Sequence, residues 1–224
     1  MGDFFHILNR GVEKRKIFLD QRDYLRFTNN IRDFNDKNNV PLSYFHRTRY
    51  GSPTSVKIVT KAENQLVDVL CWSLLPNHFH ILAQEKIEGG SGAFTRKLTG
   101  GYTLYFNIMN KRSGVLFQGK SKIIKIEKDS HFSYLPFYIF SNPIELIEPH
   151  WKEEGIKDLN KILKFLENYR YSSFPDIIGK ENFFANINRN LFYEVFGTNA
   201  EKFQRDFGDW LNAYVKGKFE NFAD

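Results

Sequence analysis

The sequence predicts an α+β fold of the ferredoxin-like split βαβ type. It would have a central antiparallel sheet, helices on one face and a C-terminal helical extension. Three observations predict it. The elements run strand, helix, strand, strand, helix, strand. Two apolar runs, Val67–Leu74 and His78–Gln84, are separated only by a Pro-Asn break, so they read as adjacent strands joined by a tight turn. Beyond Ile144 the patterns that remain have helical spacing. The expected division is 1–148 for the sheet domain and 149–224 for the extension.

Phe4–Asn9 is short, aromatic and branched and opens the sheet, and Arg10-Gly11 ends it. From Asp20 to Phe34 the residues Tyr24, Phe27, Ile31 and Phe34 recur at helical spacing, with Asp20 placed to cap. Leu42–His46 and Val56–Val59 are candidate hairpin strands around Gly51-Ser52-Pro53. Between Ala93 and Asn110, Phe94, Leu98, Tyr102, Tyr105, Phe106 and Met109 share one helix side. The Gly100-Gly101 pair inside that helix costs roughly 1 kcal/mol per glycine relative to Ala, and marks a kink or the close approach of another backbone. Val115–Glu127 is a further strand region. A third helix starts at Asp129 or Ser130 and ends at Asn142-Pro143. Leu159–Tyr169, Leu191–Phe196 and Glu201–Tyr214 are helical stretches of the extension.

The chain has 224 residues, 42% of them hydrophobic, enough for a sizeable core. A formal charge of +6 and a pI near 9.2 favour a polyanionic partner without requiring one. The single cysteine, Cys71, excludes an intramolecular disulfide and reads as a small core residue in a reducing compartment. The N-terminus has no basic, long apolar leader, and no run approaches the roughly 18 apolar residues of a membrane span. No membrane partner and a cytoplasmic location are expected.

His78 and His80 are two apart on a strand, so both imidazoles lie on one face while Phe79 points to the other. Such a pair is either half of a metal site or an ordinary pair on a half-exposed strand. Tyr138 and Asn142 are i and i+4, one turn apart on one helix face. They offer a phenol that can act as a nucleophile and an amide oxygen acceptable to a hard cation. Taken alone they are equally a core tyrosine near a helix end. His6 lies on the first strand, facing such a site or simply satisfied on the strand face.

The motifs in order carry a resemblance. Phe5-His6-Ile7-Leu8-Asn9-Arg10-Gly11, Leu75-Pro76-Asn77-His78-Phe79-His80, Tyr102 through Phe106-Asn107, and Gly114-Val115-Leu116-Phe117-Gln118-Gly119-Lys120 are followed by Tyr138-Ile139-Phe140-Ser141-Asn142-Pro143 and Tyr171-Ser172-Ser173-Phe174. Together they resemble the single-tyrosine HUH transposases, in particular the REP-associated tyrosine transposases and their insertion-sequence relatives, over residues 4–175 with a gap near 41–66. Leu75, Phe137 and Phe140 depart from the family's frequent methionine, arginine and histidine, and none of them is a ligand or the nucleophile.

The resemblance implies a DNA strand-transfer enzyme. His78, His80 and Asn142 would hold one Mg²⁺ or Mn²⁺, and Tyr138 would attack the scissile phosphate to leave a 5′-phosphotyrosine and a free 3′-OH. The partner would be single-stranded or hairpin DNA, with a homodimer or a monomer both open. The basic residues agree with such a partner. Arg10, Lys14, Arg15 and Lys16 cluster in one turn, Lys111 and Arg112 in another, and Gln118, Lys120, Lys122 and Lys125 lie along one strand region. The alternatives are a domesticated hairpin-binding protein, a phosphodiesterase that uses water, and a replication initiator. The last is disfavoured by the short chain.

Overall fold

The computed structural model describes residues 2–38, 62–183 and 186–215, so the candidate strands Leu42–His46 and Val56–Val59 lie outside the described residues. Strands β1 (Phe4–Arg10), β2 (Val67–Leu75), β3 (His78–Glu85) and β4 (Lys122–Lys125) form one four-stranded antiparallel sheet in the order β2-β3-β1-β4. The expected α+β class and the central position of the histidine strand both hold. In the β1–β3 register Arg10 is opposite His78, Leu8 opposite His80, and His6 opposite Leu82. Opposed residues of an antiparallel pair share a face, so His6, His78 and His80 all lie on one side of the sheet.

The other side packs against α1 (Gln21–Asp33) and α2 (Gly90–Met109). Ile7, Phe79, Ile81 and Ala83 meet Phe27, Ile31, Phe94, Leu98 and Tyr102 there. Asp20 caps α1 as expected, its side chain accepting from the backbone N–H groups of Arg22 and Asp23. The helix over Gly100-Gly101 runs unbroken, so no kink forms. The close approach is made by a side chain: the Phe34 ring packs where a Gly101 Cβ would be, while Gly100 faces open space.

Helices cover both faces rather than one. The histidine face is also apolar at Leu70, Cys71 and Leu82, and these residues are covered by α3 (Asp129–Ser141) through Leu135, Ile139 and Phe140. A register shift between Val69 and Cys71 explains why two consecutive residues of β2 serve that core. The same cluster continues into α4 (Trp151–Glu154), α5 (Leu159–Asn168), α6 (Phe174–Ile177), α7 (Arg189–Phe196) and α8 (Ala200–Val215), through Trp151, Leu166, Phe174, Phe192 and Phe207. Residues on either side of position 148 therefore share one core.

The outer edge of β2 is closed by Tyr171–Ser173. Leu74 N–H donates to the Tyr171 carbonyl (2.8 Å), Ser173 N–H donates to the Trp72 carbonyl (2.9 Å), and Ser173 Oγ accepts from Trp72 N–H (2.9 Å). An unpaired strand edge is thereby removed. The strand expected over Val115–Glu127 is reduced to Lys122–Lys125, because Gly119 takes a positive φ and breaks the extended run.

Candidate active site

The site lies where β1 and β3 face α3. His6 Nε2 and His80 Nδ1 are 2.9 Å apart, and His78 Nδ1 lies 2.6 Å from Asn77 Oδ1. The His78 and His80 rings are 5.1 Å apart and nearly perpendicular. Burial lowers the His78 pKa to about 4, with Arg10 and Lys152 adding to the effect, and burial also lowers His6 to about 4. His80 is lowered well below its ordinary value by burial and by the His6 and His78 rings. All three are neutral at neutral pH and each keeps one ring-nitrogen lone pair.

Tyr138 stands over this group. Its ring is 5.6 Å from the His80 ring, edge-on, and 6.2 Å from that of His6. Burial raises the Tyr138 pKa, with the Tyr134 phenol adding to it, while the Asn142 amide and the Arg10 guanidinium pull it down. Tyr134, one turn earlier, is turned elsewhere: its ring is 5.8 Å from that of Trp210, and its phenol is coupled to that of Tyr214. Tyr102 and Tyr105 are structural, donating to the Ile17 carbonyl and the Asp23 carboxylate. Phe137 and Phe140 pack against Phe203 of α8, and Phe137 also against Trp210, so these two residues anchor the extension.

Two neutral imidazoles and an amide suit a divalent cation in donor chemistry. Among the described residues no group of three His, Cys, Asp or Glu could hold a metal, so a third ligand to such a cation would be of another type. Asn142 is buried, and its Nδ2 donates to the Tyr138 carbonyl at 2.7 Å, which leaves Oδ1 as its remaining ligand atom.

Three of the sequence motifs are tied together beside His78. Gly11 N–H donates to the Asn77 carbonyl (2.8 Å), Ile17 N–H to the Pro76 carbonyl (2.8 Å), and Gln118 N–H to the Arg10 carbonyl (2.7 Å). Gly11 is required there, since a Cβ would collide with the Arg15 carbonyl and come within 2.9 Å of Ile17 Cγ2. Arg10, Lys14, Arg15, Lys16, Gln118 and Lys120 are exposed on this rim, and Arg15 is paired with Glu13. Lys122 is opposite Leu8 and so lies on the histidine face. Lys125 is opposite Phe5, on the other face, and pairs with Asp3 at 2.7 Å. Lys111 is exposed, but Arg112 is spent on its own turn, donating to Asn107 Oδ1 and the Val115 carbonyl.

Two contributors have no clear signal in the sequence, Asn77 as a partner of His78 and Lys152, while His6, for which facing the site is one of two readings, is found against His80. The Lys152 Nζ lies 5.2 Å from the Tyr138 ring centroid. Period-2 alternation on the first strand points to His6 once its pairing with the histidine strand is known.

No family model matches the chain, and no curated protein matches it in sequence. Solved structures similar to it include a REP-associated tyrosine transposase bound to a REP hairpin, at 15% identity, covering 81% of this chain and 83% of that one with a TM-score of 0.44. With a superposition this loose, the chemistry rests on the chain's own geometry. Among the described residues no helix is long and apolar enough to cross a membrane.

Proposed function

We propose that this chain cleaves and rejoins single-stranded or hairpin DNA through a covalent tyrosine intermediate. The observation that carries the reading is the placement of Tyr138 beside His80 and His6 while Tyr134 faces α8. The Tyr138 oxygen attacks the scissile phosphorus and loses its proton. The bond from phosphorus to the 3′-oxygen breaks, and that oxygen leaves as a 3′-OH once protonated. Rejoining is the reverse, with a 3′-OH of another strand attacking the phosphotyrosine. Arg10 assists by favouring the phenolate. The bond energy stays in the tyrosyl link, so no nucleotide cofactor is needed. His78, His80 and the Asn142 oxygen would hold one Mg²⁺ or Mn²⁺, which supplies polarisation of the phosphate and charge relief on the leaving oxygen. Arg10, Lys14, Lys16, Lys120 and Lys122 would track the backbone of an unpaired strand.

A second reading is a hairpin-binding protein that no longer cleaves. One observation favours it: no third acidic, thiol or imidazole ligand completes the histidine pair among the described residues. End-labelled hairpin oligonucleotides, incubated with the protein plus Mg²⁺ or plus EDTA, separate the two. Labelled DNA that migrates with denatured protein only when metal is present supports the enzyme. Tight hairpin binding with no adduct in either condition supports the second reading.

A further inference from the structure

We infer that Asn77 and His6 are positioning residues that fix the ring tautomers of His78 and His80, holding the hydrogen of each ring on Nδ1 and leaving both Nε2 atoms as lone-pair donors. The inference rests on the proposed metal-assisted cleavage and adds to it the device that presents the two ligands. Asn77 Oδ1 can only accept a hydrogen bond, and Asn77 Nδ2 donates to the Lys14 carbonyl at 3.3 Å, which fixes the orientation of the amide. The 2.6 Å contact therefore needs a hydrogen on His78 Nδ1. A neutral imidazole carries one N–H, so His78 Nε2 is bare.

At His80 the facing atom is itself an imidazole nitrogen, so the contact allows two arrangements, and the inferred one follows from the proposed ligand role of His80. One hydrogen lies between His80 Nδ1 and His6 Nε2 across 2.9 Å. With His80 as donor, its Nε2 is bare and His6 carries its own hydrogen on Nδ1. With His6 as donor, His80 carries its hydrogen on Nε2 and cannot ligate there. A ligand imidazole is oriented by the acceptor on its other nitrogen. Here the acceptors come from two places the fold holds rigid: the Pro-Asn turn preceding β3, and the neighbouring strand β1. The His6 pairing reaches diagonally across the sheet, from the residue opposite Leu82 to the residue opposite Leu8.

The test is ¹⁵N NMR of the histidine rings in the metal-free protein, which needs neither metal nor DNA. The expected result is a protonated Nδ1 and an unprotonated Nε2 for both His78 and His80. In Asn77→Ala the His78 ring should lose that preference, and in His6→Leu the His80 ring should lose it. Asn77→Asp and His6→Gln, which keep an acceptor, should restore it. Mn²⁺ binding measured by EPR should weaken about 10- to 100-fold in the first two variants and only slightly in the other two. An Nε2–H tautomer at either ring of the wild-type protein, or tautomers unchanged in the Ala and Leu variants, would overturn the inference. Correct tautomers in a protein that binds no Mn²⁺ would instead count against the metal-assisted reading and leave the positioning roles standing.

Discussion

Replacing Gly100 and Gly101 by alanine, one at a time, should stabilise at Gly100 and not at Gly101, although the residues are adjacent in one helix. Both are interior to α2, where Gly to Ala gains about 1 kcal/mol of helix propensity. At Gly100 nothing lies within 4 Å of the new Cβ, so the whole gain should appear, raising the melting temperature by about 2–4 °C for a chain of this size. At Gly101 the Cβ would fall 2.5 Å from Cε2 of Phe34, a ring that is only 3% exposed at the end of α1. Forcing that ring aside costs about 1–3 kcal/mol of overpacking. Set against the propensity gain of about 1 kcal/mol, the net effect runs from about zero to a loss of about 2 kcal/mol. The two variants should therefore differ by about 1–3 kcal/mol in urea unfolding. α1 and α2 lie on the face away from the histidines, so Gly100→Ala should leave adduct formation unchanged. Equal stabilisation by both substitutions would refute the packing of Phe34 on Gly101.

Three other outcomes are expected. Asp176 is fully buried, and burial raises its pKa from 3.8 to about 6. Between those values the folded chain holds a proton that the unfolded chain has released. Stability therefore falls as pH rises through that window, by up to about 3 kcal/mol; the difference in unfolding free energy between wild type and Asp176→Asn should carry this slope, and a pH-independent difference would contradict it. Arg10 pulls the Tyr138 phenol down, so Arg10→Ala should move the rise of the cleavage pH profile to higher pH while Arg10→Lys largely keeps it; an unmoved profile in Arg10→Ala would remove Arg10 from the chemistry. Lys122 shares the histidine face and Lys125 does not, so Lys122→Ala should lower the salt slope of hairpin binding by about one and Lys125→Ala should leave it unchanged; equal effects would contradict the side on which DNA is placed.

Alternation and helical spacing made the central parts of the site legible. The His-x-His repeat on an apolar strand puts both rings on one face whatever its neighbours do, and Tyr138 and Asn142 share a helix face by spacing alone. What the sequence hid depends on contacts between distant segments. The His6–His80 contact requires the register of β1 on β3, which no local pattern encodes. The covered histidine face depends on the register shift beside Leu70, which turns Leu70 and Cys71 towards α3 within an otherwise alternating strand. Lys152 sits in a four-residue helix with no periodicity to mark it. Glycines set the other differences. Gly119 cuts the fourth strand short, and Gly101 admits a ring rather than bending its helix.

The choice of nucleophile is tested most directly by mapping the protein–DNA adduct in Tyr138→Phe and Tyr134→Phe. Each change removes one oxygen from the same helix face. Each variant would be incubated with Mn²⁺ and an end-labelled hairpin, and adducts from the active protein digested and sequenced by mass spectrometry. Tyr138→Phe should form no adduct while still binding the hairpin, Tyr134→Phe should form it, and the DNA-bearing peptide should carry the phosphate on Tyr138. An adduct that survives in Tyr138→Phe and disappears in Tyr134→Phe would contradict the assignment, because the reactive phenol would then be the one facing Trp210 and Tyr214 rather than the histidines.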